Sequence, residues 1–199
     1  MARPKIIEAA DPVVTWDEAR LHLRIDAADE QPYVELLIAA ATSHIDGLTG
    51  VLNRAVGLQT VEERFDAFDD RLTLELGPAV AIAGTYGASL PLGVFHVDEA
   101  GDEQAVDDEI YALDGDGVVL RDGAAWPTDV SADPGAVIVR YQAGEEGDVP
   151  AALRHAILLL VAHWYANREA VVTGTIATAL PFSVEALLKP YRAWPEKVC

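Results

Sequence analysis

Three things are scarce in this 199-residue chain: cysteine, positive charge and long apolar runs. The one cysteine is the last residue, Cys199, so an internal disulfide is excluded and a reducing compartment is expected. The 14 Lys and Arg residues stand against 33 Asp and Glu. A protein that grips nucleic acid needs clustered cations for its phosphate contacts, and the composition argues against that class. The most apolar window, residues 151–166, contains Arg154, His155 and His163 and is too short to cross a bilayer. It predicts a buried helix of a soluble protein, with no membrane partner. The start, Ala2-Arg3-Pro4-Lys5-Ile6-Ile7, leads into no long apolar stretch, so no secretory leader is expected.

What is present is an uneven spread of charge. Residues 62–148 hold 21 acidic side chains against four basic ones, Arg64, Arg71, Arg121 and Arg140. Before that stretch 5 basic residues face 9 acidic ones, and after it 5 face 3. Such a centre repels DNA or presents an acidic face to a basic partner. With 51% apolar residues the chain can fill a core, and its length suits one domain carrying an insertion.

The two ends pattern as helices. Thr15-Trp16-Asp17-Glu18 is a capping box that starts the first. The second begins after Asp29 and tolerates Pro32 in its first turn. Its positions Tyr33, Leu36, Leu37, Ala40, Ala41, His44, Ile45 and Leu48 keep helical spacing up to Gly50. The third starts near Asp148, with Pro150 in its first turn. Leu153, Ala156, Ile157, Leu160, Val161 and Trp164 make one face, and Leu158, Leu159, Ala162 and Tyr165 occupy the others. An all-round apolar helix is covered on most sides, by its own core or by neighbouring subunits. Residues 171–179 read as a loop or β-like arm. Ser183 is expected to cap a short helix over 184–188, which Pro190 ends.

Between them the period changes to two. Segments 58–65, 72–76, 80–86, 93–97, 109–113, 118–120 and 136–141 predict short strands. Gly115-Asp116-Gly117 predicts a hairpin turn. The acidic stretches 99–108 and 144–148 read as mobile loops. The fold class expected is α+β: a helical bundle from both chain ends with an inserted antiparallel β-rich domain. The boundaries expected are 1–56 for the N-terminal bundle helices and 57–145 for the acidic β-rich insertion. Residues 146–179 hold the C-terminal bundle helix and arm, and 180–199 the docking tail.

Candidate chemistry is thin. His155 and His163 are two helical turns apart, roughly 12 Å, too far to share one metal ion. Asp114-Gly115-Asp116-Gly117 opens like a calcium loop, but Ala125 occupies the twelfth position, where a carboxylate is needed. Asp66, Asp69 and Asp70, with Glu62 and Glu63, read better as a charged strand edge that discourages aggregation. No nucleophile elbow or phosphate-cradling loop is present. No catalytic residue, cofactor or metal is expected.

The two ends resemble a known family. Val14-Thr15-Trp16-Asp17-Glu18-Ala19-Arg20-Leu21-His22-Leu23-Arg24-Ile25 is similar to the opening of the head–tail connector (head-completion, or adaptor) proteins of long-tailed phages and of gene transfer agents. Leu36-Leu37-Ile38-Ala39-Ala40-Ala41, Ile45 and Thr49-Gly50 fit that family's second helix. Val149-Pro150, Leu153, Ala156-Ile157-Leu158-Leu159, Tyr165, Asn167 and Arg168 fit its third. Leu180-Pro181-Phe182, Ala186-Leu187-Leu188 and Pro190-Tyr191-Arg192 resemble its closing signature.

The resemblance implies a non-enzymatic ring of about twelve copies, assembled in the bacterial cytoplasm and set in the neck of the particle. Its partners would be the portal protein, a tail-side connector or stopper protein, and copies of itself, with DNA passing through the channel without specific binding. Portal docking is then expected of Phe182, Leu187, Leu188, Tyr191, Arg192 and Trp194. Bundle or subunit packing is expected of Leu36, Leu37, Ile45, Leu153, Ile157, Leu160 and Trp164. The acidic centre would face the channel, where carboxylates deny phosphate a resting place, or the neighbouring rings. Two rival readings are an acidic DNA mimic that inhibits a DNA-binding protein, and a metal-assisted hydrolase built on Asp66, Asp69 and His96.

Overall fold

The computed structural model describes residues 4–86, 90–145, 147–168 and 182–193. The arm expected at 171–179, and Leu180, Pro181 and Trp194, lie outside the described residues. The fold is α+β, and the chain forms two compact units: residues 11–56 with 148 onward, and residues up to 10 with 57–147.

The helical unit holds α1 (Trp16–Leu23), α2 (Gln31–Ile45), α3 (Ala151–Ala166) and α4 (Phe182–Leu188). Thr15 and Glu18 make the capping box of α1 in both directions, satisfying amides that a helix start leaves unpaired. Arg24, in the left-handed conformation with φ 59°, closes the same helix. Pro32 lies in the first turn of α2, where its missing N–H costs nothing. That helix stops at Ile45 rather than at Gly50, because the chain turns there: the amides of Val51 and Leu52 reach back to the carbonyls of His44 and Ile45. Pro150 is the residue before α3 rather than part of its first turn. Ser183 lies inside α4, so it is not the expected cap. Val34, Leu37, Ile38, Ala41, Ile45, Leu153, Ile157, Leu160 and Val161 interlock with Val184 and Leu188 in one core. Each Val, Leu or Ile among them contributes about 1.5–3 kcal/mol by leaving water.

The β unit is built on β2 (Gln59–Phe65) and β10 (Val137–Ala143), antiparallel and fully in register from Gln59↔Ala143 to Phe65↔Val137. Its other strands are β1 (Lys5–Glu8), β3 (Arg71–Thr73), β4 (Ala79–Ala81), β5 (Gly84–Tyr86), β6 (Leu90–Val97), β7 (Glu103–Ala105), β8 (Tyr111–Leu113) and β9 (Gly117–Leu120). The larger sheet runs β1-β2-β10-β6-β5, with β4 on β10 and β7 on β6; the smaller runs β3-β9-β8. Alternation puts Val61, Glu63 and Phe65 on one side of β2, level with Tyr141, Val139 and Val137, and all six are buried.

Two strands depart from the expectation. Lys5–Glu8, placed with the bundle by the pattern, pairs with β2 instead. Glu103–Ala105, inside the expected mobile loop, pairs with β6. Gly115, with φ 56°, takes the first central position of the two-residue turn between β8 and β9, as a type II′ hairpin turn asks. Gly144, with φ 120°, sits where a Cβ would meet the Gly57 carbonyl oxygen at 2.2 Å, so the strands that enter and leave the unit run side by side.

Candidate functional site

The docking residues expected near the C-terminus separate into different environments. Phe182, at the start of α4, is 87% exposed. Leu187 and Tyr191 are half-buried against the bundle core. Leu188 is 2% exposed, so in the folded chain it packs the core and is not available for docking. Arg192 is exposed, and its Nε donates to the Val51 carbonyl at 2.7 Å. The Ala193 amide donates to the Leu52 carbonyl at 2.8 Å. The segment after α4 is thereby tied to the turn that follows α2.

Of the packing residues, Leu37, Ile45, Leu153, Ile157 and Leu160 are in the core. Trp164 is half-buried at the core margin and meets the His44 ring edge-on at 6.2 Å. Leu36 is 64% exposed: one residue before Leu37 is a 100° rotation, which carries it out of the core. Among the described residues, Leu21 and Phe182 share this exposed, large apolar character in the same unit. The bundle's polar ties join its N-terminal and C-terminal segments. Arg154 on α3 pairs with the capping Glu18. Arg168 pairs with Glu30 at 2.8 Å and lies over the rings of Tyr33 and Tyr165, at 4.7 and 4.8 Å.

The acidic unit uses part of its charge to hold itself together. Arg140 on β10 faces Glu62 on β2 at 2.9 Å and forks onto Glu103 of β7 at 2.7 and 2.8 Å. Its guanidinium also covers the Phe95 ring at 4.7 Å. The Arg140 hydrogen bond holds the Glu103 carboxyl below its usual range. Arg71 pairs with Asp114 at 2.7 Å. Asp98 accepts the amides of Asp102 and Ala100 and the side chain of Gln104, and these bonds, led by the Asp102 amide, lower its pKa.

Glu63 is different. It is 1% exposed, and its carboxyl accepts the amides of Glu75 and Leu76 and the phenol of Tyr141. Burial raises its pKa against the pull of those bonds. The Tyr141 oxygen also lies 3.0 Å from the Leu76 carbonyl. The phenol hydrogen therefore has two acceptors within reach, the Glu63 carboxyl and the Leu76 carbonyl. The sequence reading grouped Glu63 with a charged edge. The signal that identifies it was present, since Glu63 is in phase with Val61 and Phe65 on a period-two strand.

The residues of the hydrolase reading are not gathered into a centre. Asp66 Oδ1 accepts the Gly135 amide at 3.0 Å, and Asp69 Oδ1 the Asp70 amide at 2.7 Å. His96 is 4% exposed, lies 3.4 Å from Asp129 and meets the Phe68 ring edge-on at 6.2 Å. No group of three or more His, Cys, Asp or Glu able to hold a metal ion occurs among the described residues. His155 is exposed and meets His22 of α1 edge-on at 6.0 Å; His163 is half-buried. No helix among the described residues is long and apolar enough to cross a membrane.

Residues 131–192 match the family described as phage gp6-like head-tail connector protein. No curated protein matches the sequence. A chain in the neck of an empty gene transfer agent particle, determined with C6 symmetry, has a TM-score of 0.72 at 24% identity, over 97% of this chain and 96% of that one. A chain of the native gene transfer agent virion gives 0.66 at 23% identity over the same shares. A chain of the native particle's neck with C12 symmetry gives 0.65 at 23%, again over 97% and 96%. These likenesses, spanning both units, show the fold: the α+β arrangement is that of chains found in particle necks.

Proposed function

We propose that this chain is a structural head–tail connector, without enzymatic activity, that forms a ring between the portal and the tail of a long-tailed phage or gene transfer agent particle. The observation that carries the reading is the full-length likeness to a neck chain, at a TM-score of 0.72, joined to the connector-family match over residues 131–192. Exposed Leu21, Leu36 and Phe182 on the helical unit supply the apolar surface that ring neighbours or a portal would cover. The portal, a tail-side stopper and further copies of the chain are the partners. Assembly takes place in the bacterial cytoplasm.

The acidic unit keeps DNA moving. Asp70, Glu99, Asp102, Asp108, Glu109, Asp122 and Asp133 are all exposed, and clustered carboxylates repel phosphate at close range. No group of described residues favours the DNA-mimic or hydrolase readings.

The test is removal of the gene from a producing strain. Expected are DNA-bearing heads and free tails that do not join, with joining restored by the wild-type gene. Normal tailed particles lacking this protein would overturn the proposal. Replacing the exposed centre acids by Asn and Gln tests the channel role separately: purified rings should then retain DNA, and particles should package or eject it slowly.

A further inference from the structure

The smaller sheet leaves a strand edge open beside a groove. Among the described residues strand β8 pairs with β9 alone, so its other side has no neighbour in the order β3-β9-β8. The hydrogen bonds fix which residues face that side. Asp114 and Gly117 exchange two bonds, at 2.7 and 3.1 Å, and the Arg121 amide donates to the Ile110 carbonyl at 2.9 Å. Bonded and non-bonded pairs alternate along antiparallel strands. The bonded pair between these two is therefore Ala112 with Val119, opposite each other in register. Tyr111 and Leu113 must turn their backbone N–H and C=O outward. The Tyr111 carbonyl confirms this, since it accepts Nε of Arg121 at 2.9 Å rather than an amide of β9. The outward groups of Leu113 have no partner among the described residues.

A groove of about 730 Å³ lies along this edge, lined by Ile82, Ala83, Ala112 and Leu113, with Asp108, Glu109 and Arg121 at its rim. That volume is within the range of sites that enclose a ligand, roughly 300–1,000 Å³. The small apolar lining suits alternate side chains of an added strand, while the backbone edge supplies its hydrogen bonds. Asp108 and Glu109 are exposed, and they set the sign of the charge the occupant should carry.

We propose that the open edge of β8 takes an extended, basic segment of another protein as a fourth strand, seated in this groove with Lys or Arg against Asp108 and Glu109. Arg121 guards the empty edge by occupying the Tyr111 carbonyl, a common protection for an exposed strand, and swings aside when the segment docks. The inference needs nothing from the connector reading.

The test uses the full chain and a short capped peptide alternating valine with lysine, followed by amide exchange and NMR shifts at low salt. Expected is slowed exchange at Tyr111 and Leu113, with no response to the matching valine–glutamate peptide. Leu113→Pro removes an outward donor at an edge position that tolerates proline, and should abolish the response. Asp108→Asn and Glu109→Gln should each weaken binding, by up to about fivefold. Arg121→Gln uncovers the Tyr111 carbonyl and should tighten binding, which keeps the proposal testable if the proline variant fails to fold. Unchanged exchange, or an equal response to the glutamate peptide, overturns it. So does protection that grows with protein concentration when no peptide is present, because the edge would then belong to a second copy.

Discussion

Tyr141 donates its phenol to the carboxyl of Glu63 across the β2–β10 pair, with both side chains shut away from water. The same carboxyl pins the amides of Glu75 and Leu76, so one buried acid organises the segment that follows β3. Glu63→Ala would strand both amides, while the Tyr141 hydroxyl keeps the Leu76 carbonyl as an acceptor. We expect a loss on the order of 3 kcal/mol, from donors that each cost about 1–3 kcal/mol when buried and unpaired. Tyr141→Phe should cost less, about 1 kcal/mol. Urea denaturation of the two variants beside the parent measures both.

Glu63 and Glu103 should shift stability with pH in opposite directions. Burial raises Glu63 above its ordinary value of 4.5, so folding favours its protonated form. Its contribution is complete below about 4.5 and is lost as pH rises through the raised value. Glu103 is lowered by the Arg140 hydrogen bond; its contribution is present above about 4.5 and is lost as pH falls through the depressed value. Unfolding free energies of Glu63→Gln and Glu103→Gln relative to the parent, measured from about pH 3 to 7, should slope oppositely. Parallel slopes would contradict the assignment.

Arg140 joins three strands, through Glu62 on β2 and Glu103 on β7. Arg140→Ala leaves the largely buried Glu62 without this partner and should cost on the order of 3 kcal/mol. Arg140→Lys should restore only part of it, because an ammonium cannot reproduce the two-pronged contact. Thermal melts of both variants give the comparison.

Folding and docking can be separated within α4. Leu188→Ala should cost about 2–5 kcal/mol as a core truncation. Phe182→Ser should change stability by less than about 0.5 kcal/mol, because that ring is 87% exposed. If the connector reading holds, Phe182→Ser nevertheless lowers the amount of this protein in purified particles. Normal incorporation of the serine variant would remove Phe182 from the docking surface.

The helical unit was legible because its signals are local. Thr15 and Glu18 are three residues apart and cap α1 by themselves, and the spacing of Leu37, Ala41 and Ile45 is that of the observed core face. Lys5–Glu8 and Glu103–Ala105 carry no such pattern. They are strands because β2 and β6 offer an edge to pair with, information that resides elsewhere in the chain. Leu36 shows the same limit in reverse: an apolar residue in a helical run can still point outward. Glu63 was readable from its phase with Val61 and Phe65, but its acidic neighbours concealed it. The open edge of β8 could not be read, since it depends on which strands fail to pair.

The near-contact of Gly57 with Gly144 makes the acidic unit a detachable graft. Because its two ends emerge next to each other, evolution could exchange or enlarge this cassette while the host helices kept their own core. A chain in which a few glycines bridge Val56 to Asp148 would test that independence directly, at the expense of leaving Lys5–Glu8 without the strand it borrows.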